Sequence, residues 1–137
     1  SKGAQATALC RFLARQGHTA SDIQARIERD FGYDLSMSVE ELQRRYSWQG
    51  IDGKGDGGIC QESVPQAIIC ALHAKDFEDA ISNAISIGGD SDTIGCIAGG
   101  IAEALYGIPE SIKERAWKYL DETECRTVRS FIQKYSI

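Results

Sequence analysis

Hydrophobic positions along this chain recur mostly at three- and four-residue spacing, and glycines punctuate them. Ala4 to Arg15, rich in alanine and leucine, predicts a first helix that stops near Gly17. Ile23, Ile27 and Phe31 then fall every fourth residue, one apolar stripe of a helix capped by Thr19 or Ser21 and ended by Gly32. Ser38 and Glu41 have the spacing of a capping box, which predicts a short helix to about Tyr46. Gly50 to Gly58 is too rich in glycine to hold a regular element and predicts a loop. Pro65 suits the first turn of a helix running to about Ala74. Asp76 caps another, with Phe77, Ala80, Ile81, Ala84 and Ile85 on one face, and Gly88-Gly89 breaks it. A further helix is expected from about Asp92 to Tyr106, with Gly107 as its stop. Two amphipathic helices follow, near Glu110 to Leu120 and Thr123 to Tyr135, and no segment alternates with the period of a strand. The pattern predicts an all-α fold, an irregular helical bundle in which residues 1–137 form one domain.

Composition narrows the function classes. The chain has 137 residues, 42% hydrophobic and 26% charged, an ordinary balance for a globular domain with a core. Its net charge of -5 excludes a basic footprint for nucleic acid. The longest apolar run, Ile94 to Ala102, holds three glycines and is too short to span a membrane. Five cysteines, none in a CxxC pair, argue against a zinc ribbon and a disulfide scaffold, and suggest a reducing, cytoplasmic compartment. The opening Ser1-Lys2-Gly3-Ala4 is already helix-like, which suggests a processed or truncated piece.

The densest cluster of chemistry is Gly88-Gly89-Asp90-Ser91-Asp92-Thr93. Two carboxylates and a hydroxyl meet at a helix start, and hard oxygens of this kind suit Mg²⁺, Mn²⁺ or Ca²⁺ rather than zinc. The alternative is a helix cap, since acidic residues are favoured there by the dipole. A cap needs one such side chain, and this turn supplies three. Downstream, Gly95, Gly99 and Gly100 interrupt the helix, at about 1 kcal/mol each relative to alanine, which close helix–helix approach would offset.

Other signals are weaker. Gly53 to Gly58 satisfies GxGxxG but follows no strand, so it is not a dinucleotide fingerprint. The same stretch fails as an EF-hand, because Lys54 and Ser63 stand where acids are needed. His18 and His73 are isolated and read as ordinary surface or packed histidines. Glu62 could serve as an acid or base, or cap the helix that contains Pro65. Tyr46, Trp48 and Tyr106 could stack on a base, with core packing the plainer reading.

The Gly88-to-Ile94 turn, with Ala98-Gly99 and Tyr106-Gly107 beyond it, resembles the C-terminal signature of the ADP-ribosylglycohydrolase family, which includes the dinitrogenase-reductase activating glycohydrolase. Glu62 to Ile68, Asp76 to Ile81, Lys2 to Ala6 and Phe31 to Leu35 extend the likeness over nearly the whole chain. The resemblance implies an irregular orthogonal helical bundle and a hydrolase that removes ADP-ribose from modified proteins or small molecules. It implies two Mg²⁺ ions in the full enzyme, with Mn²⁺ possible, and makes Asp90, Asp92 and Thr93 metal ligands. It places Gly57, Gly58 and Ile59, with Gly89 and Ser91, against the substrate, and assigns no catalytic acid or base. The remaining family ligands sit in an N-terminal Thr-Asp-Asp motif that this sequence does not contain, so the chain is expected to match the C-terminal half and to be inactive alone. A non-catalytic helical domain that binds metal or a partner is the alternative.

Overall fold

In a computed structural model of the protein, which describes residues 1–135, helices account for every regular element. They are α1 (Lys2–Arg15), α2 (Ala20–Phe31), α3 (Val39–Arg45), α4 (Cys60–Leu72), α5 (Phe77–Ser86), α6 (Ser91–Tyr106), α7 (Glu110–Trp117) and α8 (Glu122–Tyr135). A single 3-10 turn, Ile51–Gly53, interrupts the loop between α3 and α4. No strand occurs among the described residues, so the all-α expectation holds. The chain divides into two compact units, residues 1–107 and the segment from Ile108 onward.

In the first unit α4 is the hub. Every residue from Ser63 to Leu72 is buried, as in a helix surrounded by neighbours rather than seated on a surface. α6 packs along α4 and α5 and against α1, while α2 and α3 also reach α4. α1 contributes Ala6, Cys10, Leu13 and Ala14, spaced so that one face turns inward. Ile23 and Ile27 of α2 are fully buried, as their four-residue spacing predicts. Small residues let these helices approach: a Cβ at Gly3 would stand 3.0 Å from Val64 Cγ2 and would press that side chain aside.

Helix ends follow local chemistry. Thr19 accepts from the Asp22 N–H, Asp76 from the Asp79 N–H, and Ser38 with Glu41 forms the full capping box. Pro65 is not in a first turn. α4 begins five residues earlier, at Cys60, because the Ile59 carbonyl already accepts from the Glu62 and Ser63 N–H groups at 3.0 and 2.9 Å. The carbonyl that Pro65 leaves without a helical donor belongs to Gln61, an exposed residue that water can serve. Ile85, expected on the apolar face of α5, is 54% exposed. Cys10 and Cys70 are buried, and burial pushes both thiols up to about 12, so they stay protonated. Cys60 and Cys96 are exposed rather than packed, and no cysteine among the described residues is in a disulfide.

α1 and α6 are also tied at their exposed edges. Arg15 makes a two-pronged contact with Glu103, at 3.0 and 2.8 Å, with Arg11 at 3.8 Å from the same carboxylate. Both partners are solvent-exposed, so this adds at most about 1 kcal/mol. Tyr106 closes the end of α6 by donating to the carbonyls of Ala71 or Ala74, at 3.0 and 2.7 Å. That geometry makes it a packing residue rather than a stacking surface for a ligand.

In the second unit, α8 carries an apolar face on which the Phe131 and Tyr135 rings meet tilted at 49° with centroids 4.6 Å apart, and Arg129 lies over Trp117. No residue of α7 or α8 is buried.

The α6 glycines differ in what surrounds them. A Cβ at Gly99 would meet Ile81 Cδ1 at 3.1 Å, whereas one at Gly100 finds only Arg11 Cδ at 3.9 Å. Gly99→Leu should therefore overpack the α5 crossing and cost roughly 1–3 kcal/mol. Gly100→Ala should stabilise by about 0.5–1 kcal/mol through helix propensity. Thermal unfolding of the two variants beside the wild type checks both signs, and equal melting temperatures would reject the packing account.

Candidate functional site

The site is built around one tyrosine. Tyr46 follows the last turn of α3, is 5% exposed, and donates its hydroxyl to the Gly57 carbonyl at 2.8 Å. Its ring faces the turn before α6 on the other side. A Cβ at Gly89 would fall 2.6 Å from Tyr46 Cε1, and Gly89 also has φ +67°, so only glycine fits there. Gly57 is constrained as severely, with a would-be Cβ only 2.3 Å from the Ser47 carbonyl oxygen. Thus the glycine-rich loop and the Gly88-Gly89 turn, more than thirty residues apart in sequence, meet at the hydroxyl end of a single side chain.

Hydrogen bonds shape the loop from within. Gly57 N–H donates to the Trp48 carbonyl at 2.9 Å and Gly55 N–H to the Gln49 carbonyl at 2.7 Å. Gly58 N–H donates to Asp56 Oδ1 at 3.0 Å, and Ile59 N–H to the Asp56 carbonyl at 3.2 Å. The amides of Gly57, Gly58 and Ile59 are each already paired, so in this arrangement they shape the wall rather than offer free donors. Outside, Arg45 clamps Asp52 through two contacts of 3.0 and 2.8 Å. That pairing holds Asp52 below the usual carboxylate range.

At the start of α6 the capping alternative fails in its simple form. Asp90 stands at the N-cap but makes no side-chain hydrogen bond to the helix backbone. Asp92, two residues on, accepts from the Thr93 N–H at 3.0 Å. Asp92 and Thr93 are exposed, Asp90 and Ser91 half-buried. Carboxylates two residues apart at one helix start repel when both are ionised, and a divalent cation between hard oxygens relieves that repulsion. The donor set therefore fits Mg²⁺ or Mn²⁺ in kind. It is incomplete in number, because no group of three or more His, Cys, Asp or Glu gathers around one point among the described residues.

The expected residues therefore form two clusters joined by Tyr46. Gly57 and Gly89 touch it directly, Asp90, Ser91, Asp92 and Thr93 continue into α6, and Gly58 and Ile59 run into α4. Glu62, half-buried in the first turn of α4, caps nothing at its N-terminus. Its Oε1 lies 2.8 Å from where a Cβ of Gly55 would be. Glu62, Asp90 and Asp56 all bear on the Tyr46 hydroxyl, after burial, and together push it up to about 12. Sequence reasoning passed Tyr46 over as core packing. The available signal was an aromatic residue at the mouth of a loop whose glycines have no hydrophobic role. His18 and His73 are exposed and lie on α1–α2 and α4–α5 connections outside these clusters.

Because its folded-state pKa lies above the unfolded value near 10, Tyr46 contributes stability that is fully present below pH 10. That contribution is lost as pH rises toward 12. Tyr46→Phe should cost about 1–2 kcal/mol at neutral pH, from the orphaned Gly57 carbonyl and the lost bond. The variant should also lose less stability than wild type between pH 10 and 12. Urea unfolding across that range checks both, and parallel pH curves would show that Tyr46 is not the titrating group.

Comparison with known proteins follows the same outline. The family model described as ADP-ribosylglycohydrolase matches residues 2–135. An ADP-ribosylhydrolase ARH3 from Danio rerio is 37% identical over 84 residues, covering 53% of this chain and 20% of that protein. The human ARH3 is 39% identical over 84 residues, covering 51% of this chain and 23% of that protein. An ADP-ribosylarginine hydrolase Tri1 from Pseudomonas putida is 27% identical over 125 residues, 82% of this chain and 32% of that protein. The chain thus spans between a fifth and a third of the length of these relatives. No solved structure matches it. No helix among the described residues is long and apolar enough to cross a membrane. With its sequence signature, its helical fold and a family match over residues 2–135, this chain belongs to the ADP-ribosylglycohydrolase family.

Proposed function

We propose that this chain forms one wall of the active site of a metal-dependent hydrolase that removes ADP-ribose from modified proteins or small molecules. In the reaction, the glycosidic bond at the anomeric carbon breaks. The oxygen of water bonds to that carbon, and a proton of the water passes to the departing nitrogen or oxygen. A transition state with oxocarbenium character is expected, as in other glycoside cleavages.

Asp90, Asp92 and Thr93 would hold Mg²⁺, with Mn²⁺ a workable substitute, and two ions are expected in the complete enzyme. Bound metal would supply electrostatic stabilisation and orient water and ribose oxygens. The observation that carries this reading is that Asp90 stands at the N-cap of α6 without capping it, with the exposed Asp92 two residues on in the same turn. Gly89 and Ser91 would bring the backbone of the turn close to the sugar. Gly57, Gly58 and Ile59 would line the other side, fixed to the turn through Tyr46. The other metal ligands would come from a segment bearing Thr-Asp-Asp, absent from this sequence.

A second reading, a helical metal- or partner-binding domain without catalysis, draws on the incomplete ligand set among the described residues. The two readings differ in turnover. The 137-residue chain should release no ADP-ribose from arginine-linked, serine-linked or O-acetyl substrates with Mg²⁺. A longer form supplying the Thr-Asp-Asp segment should release it from at least one. Lost positioning alone can withhold several kcal/mol of barrier lowering, about 7–11 in well-oriented cases. Equal turnover by both forms would overturn the split site, and silence from both would favour the binding domain.

Metal binding is tested apart from turnover. In the longer form, Asp92→Ala should weaken Mg²⁺ binding measured by calorimetry by at least about tenfold, since it removes a charged ligand from an ion that accepts few protein ligands. Unchanged affinity would remove Asp92 from the ligand set.

A further inference from the structure

The second unit leaves one helix face without a neighbour. Val128, Phe131, Ile132 and Tyr135 fall within one arc of α8 at three- and four-residue spacing, yet none of them is buried. Phe131 and Tyr135 are each 54% exposed, so each keeps over half of its surface in water. The chain before α8 meets only one edge of that arc. Arg129 lies over Trp117 at 5.3 Å, and Cys125 Sγ donates to the Leu120 carbonyl at 3.8 Å. A contiguous apolar face of this kind, rimmed by polar residues, marks an interaction surface.

The charges around the face say what covers it. Asp121, Glu122 and Glu124 gather at the head of α8, and Lys134 stands at its tail. Asp121 and Glu124 hold each other's backbone N–H groups at 2.8 Å, which fixes the Glu124 carboxylate at that end. An apolar row with acids at one end and a base at the other is its own complement when turned end for end. A two-fold rotation lays α8 antiparallel on its twin, brings Val128 and Phe131 of both copies to the axis, and sets Glu124 of one against Lys134 of the other. It also opposes the two helix dipoles. A parallel pairing would set like charge against like. A nucleic acid or an anionic membrane would meet the acids at the head.

We propose that this face of α8 docks on the same face of a second copy of the chain, the two helices running antiparallel. The surface lies outside the candidate site, and the inference is independent of the hydrolase reading. A helix of 14 residues is about 21 Å long, so one helix pair buries less than the roughly 1,200 Å² of a standard interface. The dimer is therefore expected to be weak and reversible.

Sedimentation velocity of the 137-residue chain tests this over an about hundredfold range of concentration. The chain should shift from monomer to dimer and stop there. A monomer at every concentration would overturn the proposal, and so would open-ended growth, which a closed two-fold contact forbids. Phe131→Glu places a charge at the axis and should leave the chain monomeric with unchanged helix content by circular dichroism. Dimerisation that survives this substitution would move the contact off α8. The orientation is read from a double-mutant cycle. Glu124→Gln keeps an oxygen for the Asp121 N–H and removes the charge, and Lys134→Gln removes the opposite one. Ten residues span about 15 Å of helix, so these two side chains cannot pair within one copy. Each single variant should weaken the dimer roughly two- to fivefold, and the double variant no more than the larger single loss. Additive losses, or none, would overturn the antiparallel pairing.

Discussion

A buried tyrosine hydroxyl must donate to something, and in this protein the acceptor is the Gly57 carbonyl of a glycine-rich loop. That loop could not hold a shape from its own composition. Glycines at 50, 53, 55, 57 and 58 lower the cost of tight turns but raise the entropy lost on ordering. The Tyr46 bond fixes the loop at its middle, and the internal bonds of Gly55, Gly57, Gly58 and Ile59 complete it. Because the same ring presses on Gly89, the loop and the acidic turn share one support. A displacement of Tyr46 would therefore be felt at both candidate walls, which a substitution in either wall alone would not achieve.

The support is itself anchored in the core. Tyr46 belongs to the same buried cluster as Ile68, Ile69 and Ile94, so its ring is positioned by α4 and α6 rather than by α3 alone. α4 is buried along ten consecutive residues, and α6, which begins at the Asp90–Asp92 turn, packs against it. Small residues permit this arrangement: Gly3 on α1 faces Val64 of α4, and Gly99 on α6 faces Ile81 of α5. Each shortens a helix–helix approach at a cost in helix propensity, which close packing offsets. Carboxylates carried on such a helix are held more rigidly than they would be on a surface loop.

Much of this was legible in the sequence, and the omissions have physical causes. Four-residue spacing in Ile23 and Ile27, the Ser38–Glu41 box and the Asp76 cap set helix positions through contacts local to the chain. The Gly88-to-Thr93 turn was recognisable because several unusual residue types coincide within six positions. Pro65 misled, because proline is most often tolerated in a first turn, and an exposed carbonyl one turn earlier let α4 extend past it. Ile85 misled because periodicity marks an apolar face but not which neighbour covers it. The role of Tyr46 depends on two segments that lie eleven and forty-three residues away in sequence, and no local pattern encodes their meeting.

Charge decides what this wall can do without further chain. Asp56, Glu62, Asp90 and Asp92 stand on or beside it, whereas a pyrophosphate ligand is itself anionic. The amides of Gly57, Gly58 and Ile59 are occupied, so the backbone offers little positive field to offset those carboxylates. Under the proposed reading metal cations would supply it, and two carboxylates with one hydroxyl would leave an octahedral ion mostly hydrated and loosely held. The same excess of negative charge that makes this wall a poor home for a bare phosphate makes it a suitable one for metal ions on the α6 side. In the proposed reaction substrate and metal would therefore bind together, each screening the charge that would exclude the other.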